Sequence, residues 1–306
     1  MILTHEAGPA FRDSDRERRR FACDEGIPTL YKFTPFDTMD RRKWVLEILR
    51  PPHRVYFARP SELNDDLDLR PLAHLRSGAS ESEIRSLLRA EAEDSWARQI
   101  PSPTAEQLAR FRLRLATIDL LEFEREALER IHNRLENQYG ILSLTRERDL
   151  IPMWDEYADK RRGLCIHFRV DSSSPFGFAQ RVIYQRRRPA LQLPLGDLSE
   201  REVADRALLT KTADRWAQER EYRLVRFPET VYEDVGLRVD GRYGYFPGSV
   251  ITGITVGTDM PEDDVALILR CANQYNPHLR VDRPRLMDLS AVPEHEASQV
   301  PEGSQK

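Results

Sequence analysis

Leu164-Cys165-Ile166-His167-Phe168-Arg169-Val170 alternates along its whole length, with Leu164, Ile166, Phe168 and Val170 falling on one side of an extended chain. Successive side chains of a strand leave on opposite faces, so a period of two marks a strand with one buried face. The fold therefore contains a sheet. Upstream, Pro152 to Arg162 reads as a helix. Pro152 suits its first turn, Lys160-Arg161-Arg162 suit its negative C-terminal end, and Gly163 suits a left-handed cap. Further out lie strand patterns at Gly140-Ile141-Leu142-Ser143-Leu144-Thr145 and from Gln180 to Arg186. A helical pattern covers Glu200 to Trp216. The last unit is a strand from Val250 to Val256, a helix opened by Pro261 and running to about Tyr275, and a strand from Leu279 to Asp282.

Toward the N-terminus, Thr29-Leu30-Tyr31-Lys32-Phe33 reads as the first strand, and Asp40 to Arg50 as a helix with the apolar stripe Trp44, Val45, Ile48 and Leu49. Pro51-Pro52 stops that helix, because proline has no N–H to give and forces its predecessor out of helical geometry. Arg54 to Ala58 is a second strand, ended by Pro60. Two charged helical stretches follow, Ser80 to Gln99 and Thr104 to Gln138, separated by Pro101-Ser102-Pro103. They read as a helical hairpin inserted over residues 79–138, its charge mostly a solvated face with i,i+4 pairing; a coiled-coil partner is the sharper alternative. The expected fold class is α+β: a single domain over residues 28–289, built on a mixed, largely antiparallel twisted sheet with flanking helices. Residues 1–27 and 290–306 are polar and read as flexible tails.

Composition narrows the function classes little. The chain has 306 residues, 40% hydrophobic and 32% charged, and 47 basic against 51 acidic side chains give a net charge of −4. Global charge thus favours no class of partner. Three cysteines, Cys23, Cys165 and Cys271, lie far apart and form neither a disulfide framework nor a metal knuckle. No signal-peptide pattern and no apolar run of about 18–20 residues is present. A cytoplasmic protein without a membrane segment is expected.

The chemistry concentrates in Trp216-Ala217-Gln218-Glu219-Arg220-Glu221-Tyr222-Arg223-Leu224-Val225. On a strand, Glu219 and Glu221 point to one face about 6.5–7 Å apart, with Arg223 next along it and Trp216 and Tyr222 on the other. The plain reading is a charged strand face neutralised by Arg220 and Arg223. The functional reading is a carboxylate pair in which Glu221 stabilises a developing cation and Glu219 orients or deprotonates a nucleophile. In Met153-Trp154-Asp155-Glu156-Tyr157-Ala158, Trp154 and Tyr157 share a helix face, as core or as a stacking platform. Ser61-Glu62-Leu63-Asn64-Asp65-Asp66 reads as an Asx-type turn or, with a glutamate from elsewhere, as a Mg²⁺ cluster. Arg186-Arg187-Arg188, near Arg181 and Tyr184, is a compact basic patch, either a solvated strand end or a phosphate site. The histidines lack ligand spacing, so no metal site is assigned to them, and no Walker, dinucleotide or nucleophile-elbow glycine pattern occurs.

These blocks, with Leu30-Tyr31-Lys32-Phe33 and Phe57-Ala58-Arg59-Pro60-Ser61-Glu62-Leu63-Asn64-Asp65, resemble a bacterial family catalogued as domain of unknown function 2971. The resemblance spans about residues 29–285. Leu142-Ser143-Leu144 stands where that family has Cys-Phe-Ser, and Asn64-Asp65-Asp66 where it has Asn-Asp-Pro. More distantly, Lys32, then Ser143-Leu144-Thr145, then Glu219-Arg220-Glu221 are similar in order to the motifs of ADP-ribosyltransferases, with Lys32 where those have Arg or His. That similarity implies NAD⁺ as substrate and an unknown protein or nucleic-acid acceptor, in a toxin or phage-defence setting. It implies catalytic roles for Glu221 and Glu219. It implies NAD⁺ contacts from Lys32, Ser143 and Asn64, and stacking on nicotinamide by Trp154 or Tyr157. The alternatives are a Mg²⁺-dependent nuclease built on Asp65, Asp66, Glu219 and Glu221, and a non-catalytic module that binds a nucleotide or protein.

Overall fold

The structure, a computed structural model, describes residues 21–99, 104–195, 198, 200–213, 216–226 and 233–284. In chain order the elements are β1 (Thr29–Thr34), α1 (Met39–Leu49), β2 (Arg54–Tyr56), β3 (Leu72–Leu75), α2 (Glu81–Gln99), α3 (Ala105–Thr117), α4 (Leu120–Gln138), β4 (Gly140–Thr145), α5 (Ile151–Tyr157) and β5 (Leu164–Arg169). Then come β6 (Gln180–Arg181), β7 (Ile183–Gln185), β8 (Ala190–Leu193), α6 (Glu200–Leu208), β9 (Thr210–Thr212), β10 (Glu221–Arg226), β11 (Arg238–Asp240), β12 (Tyr243–Tyr245), β13 (Ile251–Val256), α7 (Glu262–Tyr275) and β14 (Arg280–Asp282).

The main sheet has the order β14-β13-β5-β1-β4-β10-β6, and every neighbouring pair in it is antiparallel except β13 with β14. The fold is α+β, as the sequence indicates. β5 lies inside the sheet, and its alternating residues Leu164, Ile166 and Phe168 enter the principal core with Leu30, Leu142, Leu144, Tyr222, Leu224 and Ile254. Helices α1 and α7 close this face through Val45, Ile48, Leu49, Ile268 and Ala272. On the other face, Trp154 and Met153 of α5 pack on Phe33 and Cys165, and α4 and α6 pack on Ile141 and Val225.

One junction in the sheet differs from the rest. β1 pairs with β5 from Thr29–Arg169 through Thr34–Leu164, yet with β4 at Tyr31–Thr145 alone. Past that pair β1 and β4 part, and Ala58 bridges to Ile141 further along β4.

Several expectations need correction. The segment Phe21–Ile27 is not a tail: Ala22 is fully buried, its N–H bonds to Ala179, and Phe21 bridges to Gln180. Its partners lie far away in sequence, so no local periodicity announces it. The rest of the N-terminal tail and residues 290–306 lie outside the described residues. The insertion contains three helices rather than two, because the Asp119 carboxylate accepts from the N–H groups of Leu121 and Glu122 and starts a new helix there. The strand expected over Gln180–Arg186 breaks at Val182, so β6 joins the main sheet while β7 pairs in parallel with β9. The helix expected over Glu200–Trp216 ends at Leu208, and Thr210-Lys211-Thr212 is strand β9.

Helix α5 also ends early. Asp159, Lys160 and Arg161 have φ of 47°, 53° and 67°, a left-handed turn that costs non-glycine residues about 1–2 kcal/mol each. Packing and main-chain bonds hold it: Arg161 N–H bonds to Trp154 O at 3.1 Å, and Asp259 N–H to Arg161 O at 3.0 Å. Gly163 is not the left-handed cap. Its role is close approach, since a Cβ there would meet Thr34 O at 2.3 Å.

Candidate functional site

Where β1 and β4 separate, a cleft of about 290 Å³ opens. Lys32, Asn64, Ser143, Tyr157, Glu219 and Glu221 all line it, so the structure brings these six sequence candidates together. Trp154 does not join them. It is fully buried, edge-on to Phe33 at 5.0 Å, and its indole N–H donates to Arg148 O. It is a core residue, and of the aromatic pair Tyr157 alone reaches the cleft.

The two glutamates meet by a route the strand reading did not foresee. Ala217–Glu219 is a single 3₁₀ turn, Arg220 is left-handed with φ of 46°, and β10 starts at Glu221. Glu219 and Trp216 are therefore not strand residues. The Thr145 hydroxyl donates to Glu219 O at 2.6 Å and fixes the turn. Arg220 points away, to Glu147, and does not neutralise the pair.

Two cations do. Arg223, fully buried, grips Glu221 through Nε at 2.7 Å and Nη2 at 3.0 Å, bonds to Asp68, and gives Nη1 to Leu208 O at 2.7 Å. Lys211 Nζ lies 3.1 Å from Glu219, 3.5 Å from Glu221 and 3.5 Å from Asp68, above the Trp216 ring. All five charged side chains are buried. Such a cluster survives in a low dielectric only when each charge is paired and hydrogen-bonded. Three carboxylates face two cations here, and Asp68 Oδ1 has no hydrogen-bond partner among the described residues. The side chain of Lys32, a half-buried residue of the cleft wall, has no hydrogen bond or ion pair among the described residues.

This arrangement drives the two glutamates apart. Burial pushes Glu221 up, but Arg223, Lys211 and a hydrogen bond from Ser143 outweigh it and hold the carboxyl at about 2. Burial also acts on Glu219, and there Lys211 and the Tyr157 hydrogen bond do not overcome it, so its pKa is raised. Burial lowers Lys211, yet the surrounding carboxylates reverse the sign and raise it. Lys32 is lowered, because burial outweighs the single attraction of Glu221. The Tyr157 hydroxyl donates to Glu219 and accepts from Asn64 Nδ2, the latter at 3.0 Å, which orients the raised carboxyl. Tyr184 accepts the Glu221 N–H at 3.1 Å.

Asp68, Lys211 and Tyr184 were missed in the sequence. A signal existed for one of them: Lys211 is among the chain's five lysines and sits between two β-branched threonines. Asp65 and Asp66 do not line the cleft; Asp65 accepts the Leu67 N–H in an Asx turn. Among the described residues no three His, Cys, Asp or Glu side chains are placed to hold a metal ion. In the basic patch, Arg188 donates to Arg70 O. A larger groove of about 590 Å³ runs between α4 and residues 60–70, but the buried charges converge on the smaller cleft. No described helix is long and apolar enough to cross a membrane. No family model, curated protein or solved structure matches the chain.

Proposed function

We propose that this cleft is the active centre of an NAD⁺-consuming enzyme of the ADP-ribosyltransferase type. One observation carries the reading: two carboxylates of a single Glu-Arg-Glu motif share a cleft but are pushed toward opposite protonation, Glu221 down and Glu219 up. Pairs separated in this way divide the labour of charge stabilisation and proton transfer. The cleft, at the lower end of the roughly 300–1,000 Å³ of ligand sites, suits a nucleoside-sized part of a dinucleotide. Lys32 is available to a phosphate.

In such a reaction the bond between the nicotinamide nitrogen and ribose C1′ breaks, and its electron pair leaves with neutral nicotinamide. Positive charge grows on C1′ and its ring oxygen. Glu221, kept ionised by Arg223 and Lys211, is a fixed negative charge that stabilises it. A lone pair of the acceptor then forms the new bond to C1′, and the acceptor's proton passes to Glu219, the more basic carboxylate. Tyr157 and Asn64 hold Glu219 in place. Lys211 and Arg223 keep the carboxylates separate without joining the chemistry.

The test is nicotinamide release from labelled NAD⁺ with purified protein and cell extract, comparing the wild type with Glu221→Gln. A fall of about a hundredfold or more is expected for loss of the stabilising charge, with a melting curve to verify that the variant is folded. No release by either protein, or equal release by both, would sink the proposal. No observation of the site favours the nuclease alternative, whose Asp65 and Asp66 lie outside the cleft.

A further inference from the structure

Residues 60–70 form a partition between two cavities. Glu62, Leu63, Asn64 and Asp68 line the cleft, whereas Pro60, Ser61, Leu69 and Arg70 line the groove of about 590 Å³ along α4. The partition is tied on both sides. Glu136 of α4 accepts the Ser61 N–H at 3.0 Å and the Ser61 hydroxyl at 2.6 Å, Asn64 donates to Tyr157 at 3.0 Å, and Asp68 bonds to Arg223. Leu69, between Asp68 and Arg70, is left-handed with φ of 58° and buried in a cluster with Leu135, Ile141 and Leu208. Strained residues of this kind collect at ligand clamps and switches. Charge at this joint is left over. The exposed Arg70 guanidinium has no hydrogen bond or ion pair among the described residues. Arg188 lies beside it: its Nε donates to Arg70 O at 2.6 Å, and burial together with the Arg70 charge lowers its pKa. Asp65 attracts Arg188 without forming an ion pair with it. Two guanidiniums side by side with no paired carboxylate fit an anion of several oxygens, and their forked donors match phosphate. The groove's own carboxylates are engaged, Glu136 by Ser61 and Glu129 by Arg125 at 3.6 Å.

We propose that the α4 groove binds a small organic phosphate at Arg70, and that the partition carries its presence into the cleft. The phosphate oxygens accept from the Arg70 guanidinium, with Arg188 adding charge, and the organic body lies along Leu128 and Asn133. A groove of this size holds a body as large as a nucleoside. Holding Arg70 from the groove turns the joint at Leu69 and shifts Asp68 against Arg223 and Lys211 on the other side. Neither the site nor the coupling requires NAD⁺ to be the cleft's substrate, so the inference stands apart from the proposed function.

The experiment titrates ¹⁵N-labelled protein with uridine 5′-monophosphate, uridine and inorganic phosphate. NMR follows two side-chain amides, Asn133 in the groove and Asn64 in the cleft. The nucleotide is expected to bind at least about tenfold more tightly than uridine or inorganic phosphate, and to move both amides. Arg70→Gln should weaken the nucleotide at least about tenfold and abolish the Asn64 shift, and Arg70→Lys should restore part of the affinity. Because Arg70 is exposed, both variants should melt with the wild type. Nucleotide binding no tighter than that of uridine or of inorganic phosphate, or binding untouched by Arg70→Gln, would overturn the site. A moved Asn133 with Asn64 unmoved would overturn the coupling, and a moved Asn64 alone would put the ligand in the cleft and end the inference. Nicotinamide release without groove binding removes this inference and leaves the proposed function. Groove binding without release does the reverse.

Discussion

Two polar clusters are buried against the same sheet, and they differ in what they leave undone. Around β5, β13 and β14, His167 Nε2 meets Thr255 Oγ1 at 2.8 Å, Thr255 donates to Asp282 at 2.6 Å, and Arg148 bonds to Asp149 and Asp282. Among the described residues no buried side-chain polar atom of His167, Thr255, Asp282, Arg148 or Asp149 lacks a partner, and neither His167, Thr255 nor Asp282 lines the cleft. The cluster around β4, β9 and β10 has more charge and less closure: among the described residues Asp68 Oδ1 has no hydrogen-bond partner and the Lys32 ammonium no ion pair, and the cleft runs beside them. A fully satisfied network rigidifies a core, whereas one with open valences beside a cavity is arranged for something that enters.

That contrast can be broken by mutation, most severely at Arg223. Arg223→Met strands Glu221 and Asp68 without their guanidinium and should destabilise the protein by about 3–5 kcal/mol. Thr255→Val, in the closed cluster, should cost about 1–3 kcal/mol, the penalty for unpaired buried groups. Urea melts of both variants decide the matter, and equal losses would mean that the two clusters are energetically alike.

Acid sharpens the comparison next. His167 is held at about 4, because burial, together with Arg148, outweighs the Asp282 charge. Its folded pKa lies below the unfolded 6.5, so its stabilisation is complete above that value and is lost as pH falls toward 4. Glu221 behaves as a depressed carboxylate, full in its contribution above about 4.5 and losing it as pH falls toward 2. Stability measured against pH should therefore decline in two windows. His167→Gln should remove the slope in the upper window and Glu221→Gln the slope in the lower. A single shared slope in both variants would contradict this assignment.

The smallest effect is expected at Tyr157. Tyr157→Phe deletes one hydrogen bond to Glu219 and should lower nicotinamide release about tenfold, while the melting temperature moves little. A large drop in stability with unchanged turnover would place Tyr157 with the closed cluster's structural groups.

Much of the sheet could be read directly. β1, β4, β5 and β13 alternate or carry β-branched and apolar runs, and their neighbours begin or end at prolines and glycines. The carboxylate pair was legible as residues but not as geometry, because a left-handed Arg220 cannot be inferred from a strand period. Lys211 was hidden for a different reason: the amphipathic pattern of α6 continues in appearance past Leu208, so a three-residue strand is absorbed into the helix. Asp68 lies in a loop without periodicity, and nothing local tells that its carboxylate lies beside an arginine 155 residues away. Trp154 and Tyr157 are equivalent in sequence. Their partners separate their fates: Trp154 packs edge-on to Phe33 and bonds to Arg148 O, whereas Tyr157 bonds to Asn64 and Glu219 at the cleft.

The junction at Tyr31–Thr145 has one more consequence. Direct pairing between β1 and β4 is confined to that pair, so the main sheet consists of two plates on a single pin. The pin is not neutral to the chemistry, because the hydroxyl of Thr145 holds the carbonyl of Glu219. A tilt of one plate against the other would therefore change the distance between Lys32, carried by β1, and the carboxylate motif, carried with Thr145 on the β4–β10 side.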